Sequence, residues 1–159
     1  MTFQTTVNAV QAPAVAGDFA SANPRASVVA GPATLVAGTG GATVGRFGWA
    51  DANGLVTNAG SGVPTGFIHR DMQALITTYP ADSSMVIPAG NPVTLFKQGE
   101  FWAKSLTAAT IGQKVFASNT DGTVKTGAAG ATISGYTETG WFVDSTVLIN
   151  ELVKISTWG

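Results

Sequence analysis

The sequence predicts an all-β fold, an antiparallel sandwich or a jelly-roll-like barrel, preceded by an extended N-terminal arm. From about residue 41, short apolar or alternating segments are separated by turns that contain Gly, Asn or Asp, a spacing typical of such folds. Helix signals are weak because Pro13, Pro24 and Pro32 interrupt every candidate helix in the first 40 residues. We therefore predict an arm over residues 1–40 and a β domain over residues 41–159.

The predicted arm lacks the large side chains that a core requires. It is mostly Ala, Val, Gly, Thr and Pro, with the charged residues Asp18 and Arg25 and the aromatic residues Phe3 and Phe19. One interpretation is a tail or a loop-rich edge of the domain. The other is an arm that becomes ordered on a neighbouring subunit. The high charge typical of disordered segments is missing, which favours the second interpretation.

The stretch Pro92–Ser105 is predicted to be a β-hairpin that turns at Gln98-Gly99, where glycine supplies the positive φ of a tight turn. The expected register pairs Lys97 with Glu100, Phe96 with Phe101, and Leu95 with Trp102. Because side chains alternate along a strand, this hairpin is apolar on both faces. It is therefore either the inner layer of a sandwich or a surface that meets a partner.

The other predicted strands follow in chain order. They are expected at residues 42–50, 55–57, 65–71, 75–79, 84–88, 114–118, 123–125, 131–139, 141–144 and 146–158. Asp121-Gly122 is a strong hairpin signal, and the strands at 131–139 and 141–144 are expected to pair with each other around Gly140. A helical turn over residues 71–76 is the alternative to a strand at 75–79.

Composition excludes several classes of protein. Charged residues make up 11% of the chain, against about 25% in typical soluble domains, and the net charge of -1 offers no basic patch for nucleic acid. Cysteine is absent, the first residues do not form a signal peptide, and no apolar run reaches the ~20 residues of a membrane span. We expect neither nucleic acid nor membrane as a partner. So little charge favours a protein that resides within an assembly.

No motif for catalysis, metal binding or cofactor binding emerges. The tripeptide His69-Arg70-Asp71 matches a kinase catalytic loop, but the accompanying kinase motifs are missing. The glycines of residues 38–45 are not spaced as in a dinucleotide loop, and the Asn-Gly and Asp-Gly turns do not continue into a calcium loop. One catalytic alternative stays open: two carboxylates that the fold brings together could act as in glycoside hydrolases. We expect a non-enzymatic protein without metal or cofactor, in which His69 is a rim residue or one whose hydrogen bonds are satisfied.

Four tryptophans, Trp49, Trp102, Trp141 and Trp158, allow two interpretations. They either fill a core that has few other bulky side chains or stack on sugar rings at the surface. Trp158 is near the end of the sequence and is the one we expect at a subunit interface.

Several segments, taken in order, resemble a known family. They are Met1–Val7, Ala14–Arg25, Met85–Gly90, Val93–Phe96, Gly99–Trp102, Gly112–Ala117 and Glu138–Trp141. Together they resemble the structural cement, or capsid decoration, proteins of tailed bacteriophages and prophages. The resemblance implies a β-rich protein, made in the bacterial cytoplasm, that oligomerises as a dimer or trimer on the capsid exterior of the virion. It also implies that the protein clamps neighbouring subunits of the major capsid protein and has no catalytic residues.

Five residues are candidate contacts with the capsid or another subunit. Phe3, Val7 and Phe19 are the apolar candidates in the arm, Arg25 is a polar anchor, and Trp158 is the candidate at the other end of the sequence. The alternative function is a glycan-binding or host-attachment β module of a virion, which would use exposed tryptophans.

Overall fold

A computed structural model describes residues 12–31, 34–71 and 85–158 of the protein. These residues form thirteen strands and contain no helix, hence none that could span a membrane. In chain order the strands are β1 (Ala26–Ser27), β2 (Val36–Ala37), β3 (Ala42–Thr43), β4 (Phe47–Ala50), β5 (Leu55–Thr57), β6 (Gly66–Ile68), β7 (Val86–Ile87), β8 (Leu95–Gln98), β9 (Glu100–Lys104), β10 (Lys114–Ser118), β11 (Val124–Gly127), β12 (Tyr136–Val143) and β13 (Leu152–Ser156).

The strands form three sheets. The first has the order β1-β8-β6-β4-β5-β2, the second has the order β11-β10-β12-β13-β9, and β3 pairs with β7 in the third. Every strand pair is antiparallel except β2 with β5. The all-β prediction is confirmed, and the described strands form the sandwich rather than the barrel.

The main core lies between the first and second sheets and is rich in aromatic rings. Phe47, Phe67 and Phe96 from the first sheet pack with Phe101 and Trp141 from the second. The ring centroids of Phe67 and Phe101 are 5.2 Å apart, and those of Phe47 and Trp141 are 6.0 Å apart. Complete burial of one such side chain contributes about 1.5–3 kcal/mol, so this cluster is a major source of the sandwich's stability.

The first sheet is also buried on its other face. There Val56, Ile68 and Leu95 belong to a second apolar cluster that includes Val44 and Ile87 beside the β3–β7 pair. The first sheet is thus a middle layer, which explains why Leu95 and Phe96 are apolar on opposite sides of β8. The inner-layer interpretation of this strand is confirmed.

The predicted hairpin at Gln98-Gly99 is wrong. β8 pairs with β1 and β6 in the first sheet, whereas β9 pairs with β13 in the second. Gly99, with φ +140°, lies where the chain crosses from one sheet to the other. Phe96 and Phe101 do touch, with centroids 5.2 Å apart, but they meet inside the core rather than across a ladder.

Other predicted elements have mixed outcomes. The hairpin at Asp121-Gly122 is confirmed, because β10 and β11 pair in antiparallel register and Gly122 has φ +68°. The predicted break at Gly140 is wrong, since β12 runs through it with a register shift against β10. The strand predicted at 42–50 is divided into β3 and β4. The alternatives at residues 71–79 fall almost entirely outside the described residues.

Described residues of the predicted arm contact the sandwich of their own chain. β1 adds to the edge of the first sheet beside β8, and β2 pairs with β5. Whether residues 1–40 act as a separate unit, and whether they contact another subunit, stay predictions.

Candidate functional site

The described residues contain no group of three or more His, Asp or Glu side chains that could hold a metal ion. His69, the single histidine of the chain, has its Nδ1 2.8 Å from the carbonyl oxygen of Gly17. Its ring also stacks on Phe19 with a centroid distance of 3.9 Å. His69 is therefore held by structural contacts, as the sequence predicts.

Residues 15–25, here called the edge segment, cover the free edge of β9. The Gly17 amide donates to the Trp102 carbonyl at 2.7 Å, and the Trp102 amide donates to the Asp18 carbonyl at 2.9 Å. The Ala20 amide donates to the Glu100 carbonyl, also at 2.9 Å. Because unpaired strand edges invite association with other chains, the edge segment closes this side of the second sheet.

Phe19 and Arg25, two of the candidate contact residues, lie together in the edge segment. Phe19 is half-buried against the main core, and its ring centroid is 5.2 Å from that of Phe101. The guanidinium carbon of Arg25 lies 3.8 Å from the Phe19 ring centroid, in a cation–π contact. Both residues thus have contacts within their own chain. Phe3 and Val7 are outside the described residues, and the capsid contacts of all four stay predictions.

Two carboxylates fix the edge segment. Asp18 forms an ion pair of 2.8 Å with Arg70 and accepts the Val15 amide at 3.0 Å. Partial burial raises the pKa of Asp18, but the Arg70 and Val15 hydrogen bonds and the Arg70 charge outweigh it and lower the pKa below 3.8. Hydrogen bonds from Ser21 and Asn23 lower the pKa of Glu100. Both groups therefore stay ionised and keep these contacts at neutral pH.

The tryptophans have different environments. Trp141 is buried in the main core, and the Trp49 ring is packed closely against Gly60. Trp102 projects outward from β9 with the Lys154 ammonium group 5.1 Å from its ring centroid. Trp158 is 50% exposed and lines a shallow depression with Asn23, Pro24 and Glu100. Trp158 is thus the most accessible of the four rings, and its contact with the capsid or another subunit stays a prediction.

Sequence reasoning missed an apolar surface at one end of the sandwich, here called the loop end. At this end residues 105–113 connect β9 to β10, and residues 144–151 connect β12 to β13. The two loops are joined by paired hydrogen bonds between Ala109 and Val147. Leu148 and Ile111 are each 69% exposed and Ile149 is 60% exposed.

The sequence predicts a continuous strand over residues 146–158, and this prediction conceals the exposed Leu148 and Ile149. The signal that reveals the turn is Asn150, since asparagine tolerates positive φ better than most residues. In the structure Asn150 has φ +66°, the only positive φ among the described residues other than glycine.

Fold and surface together define a class: a β-sandwich protein with exposed apolar side chains on its described loops. The family model of the XM1 gp53 minor capsid protein matches residues 3–157. The chain therefore belongs to this family of phage capsid-associated proteins, and it has a structural role in the virion.

A solved structure shows the same fold. A chain in the structure of the capsid of Myoviridae phage XM1 is similar with a TM-score of 0.69 and 21% sequence identity. The similarity covers 99% of this chain and 98% of that chain. No curated protein matches the sequence. The family resemblance predicted from the sequence is confirmed at the level of a phage capsid-associated protein.

Proposed function

We propose that this protein binds the outer surface of the assembled capsid and cements neighbouring subunits of the major capsid protein. The observation that carries the proposal is the match of a minor capsid protein family to residues 3–157. The fold supports it, because the two-sheet core gives a rigid body whose exposed loops and edge segment are available for contacts. No metal, cofactor or chemical step is part of this function.

A cement protein stabilises a shell by mass action. It binds subunits that are assembled and not subunits that are apart, so disassembly must also break its contacts. At a free concentration 100 times the dissociation constant, such binding contributes about 2.7 kcal/mol per site. Contacts between copies, as a dimer or a trimer, would add to this through effective concentration. The proposed partners are therefore the major capsid protein and other copies of this chain.

The test uses purified capsids that lack this protein. Full-length protein is added over a range of concentrations, and the copies bound per capsid and the temperature of capsid disruption are measured. We expect saturable binding and a disruption temperature that rises with occupancy. Absence of binding, or saturated binding with an unchanged disruption temperature, would contradict the cementing function. Separated major capsid subunits are the control and should bind weakly.

The role of the arm can be tested with a short deletion. Removal of residues 2–11 takes away Phe3 and Val7 but leaves the edge segment intact. A longer deletion through residue 25 would also remove Phe19 from the aromatic core and so confuse folding with binding. We expect the short deletion to lower capsid occupancy while the thermal unfolding of the free protein changes little. Unchanged occupancy would remove Phe3 and Val7 from the contact surface.

The glycan-binding alternative has less support, because Trp49 and Trp102 have ring contacts within the chain and Trp141 is buried. Titration of tryptophan fluorescence with oligosaccharides separates the two functions. Saturable sugar binding that is lost in Trp158→Ala would favour the alternative.

A further inference from the structure

The loop end carries an apolar turn whose geometry is fixed by polar contacts. Glu151 Oε2 accepts the Leu148 amide at 2.9 Å, and the Asn150 amide donates to the Ser105 carbonyl at 2.8 Å. The Glu151 amide closes the turn on the Leu148 carbonyl at 3.3 Å. Leu148 and Ile149 are therefore held outward, and their exposure is not the result of a loose loop. A contact made by pre-ordered side chains loses less conformational entropy on binding.

Other exposed apolar side chains lie at the same end. Ile111 is on the loop paired with this turn, and Val15 is 44% exposed. The edge segment runs antiparallel to β9, with Ala20 beside Glu100 and Gly17 beside Trp102, so Val15 lies toward the Lys104 end of β9. Lys104 is opposite Leu152, just after the apolar turn. Val15, Ile111, Leu148 and Ile149 therefore all lie toward the same end of the second sheet.

We propose that the Leu148–Ile149 turn docks into an apolar pocket of the major capsid protein, an inference that rests on the proposed function. The size of the patch decides between occupants. Four aliphatic side chains supply much less than the ~800 Å² per partner of a stable protein–protein interface. A second copy in free solution would therefore not be held by this surface. A capsid partner suffices, because many copies on one shell add other contacts and raise the effective concentration.

The test compares two variants of the protein, each with two apolar residues replaced by serine. Leu148→Ser with Ile149→Ser removes the apolar turn, and Val63→Ser with Val29→Ser removes two valines that are 68% and 90% exposed outside the loop end. All four side chains are exposed, so we expect thermal unfolding to change little in either variant. For capsids that lack the protein, we expect the turn variant to bind at least about tenfold more weakly, equivalent to 1.4 kcal/mol, and the valine variant to bind normally.

Each result has a defined meaning. Normal binding by the turn variant would overturn this inference and leave the proposed function standing. Absence of binding by the unsubstituted protein would overturn both. Weaker self-association of the turn variant in sedimentation, with normal capsid binding, would identify a second copy as the occupant and overturn the proposal.

A labelling experiment keeps the inference falsifiable if the serine variant folds poorly. The chain has no cysteine, so Ile149→Cys and Val63→Cys each provide a single thiol for a maleimide. On capsids we expect labelling of the I149C protein to slow at least about tenfold relative to the free protein, while labelling of the V63C protein is unchanged. Equal labelling rates of the I149C protein in both states would overturn the proposal.

Discussion

Substitution of Phe19 by alanine distinguishes a residue of the fold from a residue of an interface. Sequence composition suggests that Phe19 contacts the capsid, whereas the structure places its ring between His69 and Arg25 and against Phe101. A buried Phe→Ala change costs about 3–5 kcal/mol. Phe19 is half-buried, so roughly half of that applies, and the lost ring and cation–π contacts add about 0.5–1 kcal/mol.

The expected loss in the free energy of unfolding is therefore about 2–3.5 kcal/mol. For a domain of this size, 1 kcal/mol changes the melting temperature by about 2–4 °C. Calorimetry of the free Phe19→Ala protein should consequently show a melting temperature about 5–10 °C lower. Phe19→Leu should recover part of the loss, because it restores apolar volume but not ring stacking.

Trp158→Ala is the matched control. Trp158 is also a large aromatic candidate for a contact, but its side chain is 50% exposed. We expect its loss to change the free energy of unfolding by less than about 1 kcal/mol. The packing argument is wrong if both alanine variants have the same melting temperature as the unsubstituted protein and Phe19→Ala lowers only capsid binding. Phe19 then belongs to an interface.

Three further predictions concern the turns and the sheet surface. Gly122→Ala should lower the free energy of unfolding by at least about 2 kcal/mol, because Gly122 has φ +68° and a methyl group would overlap the Phe47 carbonyl; an unchanged urea midpoint would contradict this. Trp102→Ala should cost about 1–2 kcal/mol in the free protein, since the ring is half-buried; an unchanged melting temperature would assign the ring to a partner. Asp18→Asn should cost less than about 1 kcal/mol at pH 7, because the ion pair with Arg70 is partly exposed. The lowered pKa of Asp18 stabilises the fold above about pH 4 and ceases to do so as the pH falls through its folded-state value, so the two proteins should converge in acid; a difference that grows in acid would contradict the assignment.

Local turn chemistry made some elements predictable from the sequence. Asp121-Gly122 indicates a hairpin because glycine adopts the positive φ of the turn, and β10 and β11 pair in antiparallel register on either side of it. The broader all-β prediction also succeeded. It depends on many short segments between turns, so errors in individual pairings do not change it.

The pairing at Gly99 could not be predicted from local sequence. A tight hairpin and a crossing between sheets both need a flexible residue between two apolar strands. The choice depends on distant partners, since Phe67 pairs with Phe96 in one sheet and Ile155 pairs with Phe101 in the other. The predicted break at Gly140 is wrong for a different reason. This residue is a glycine without positive φ, and β12 accommodates it with an irregularity in pairing rather than a turn.

For the candidate contact residues too, the local sequence does not reveal the contacts made with residues that are distant in the chain. Trp158 was chosen for its position in the sequence, and the structure shows it to be half-exposed. The composition of the arm predicts Phe19 as a contact, yet its ring packs against His69 and Phe101, which are far away in sequence. The exposed pair Leu148 and Ile149 was missed because an apolar run has the same appearance whether it enters a strand or precedes one.

The distribution of apolar groups connects the fold to the proposed role. The first sheet is covered on both faces, and the edge segment covers β9. Val29 and Val63 are also exposed, but Ile111, Leu148 and Ile149 lie on two loops that pair with each other at the loop end. Since ordered apolar side chains in water are a cost that binding removes, contact between the loop end and the proposed capsid partner would be favourable.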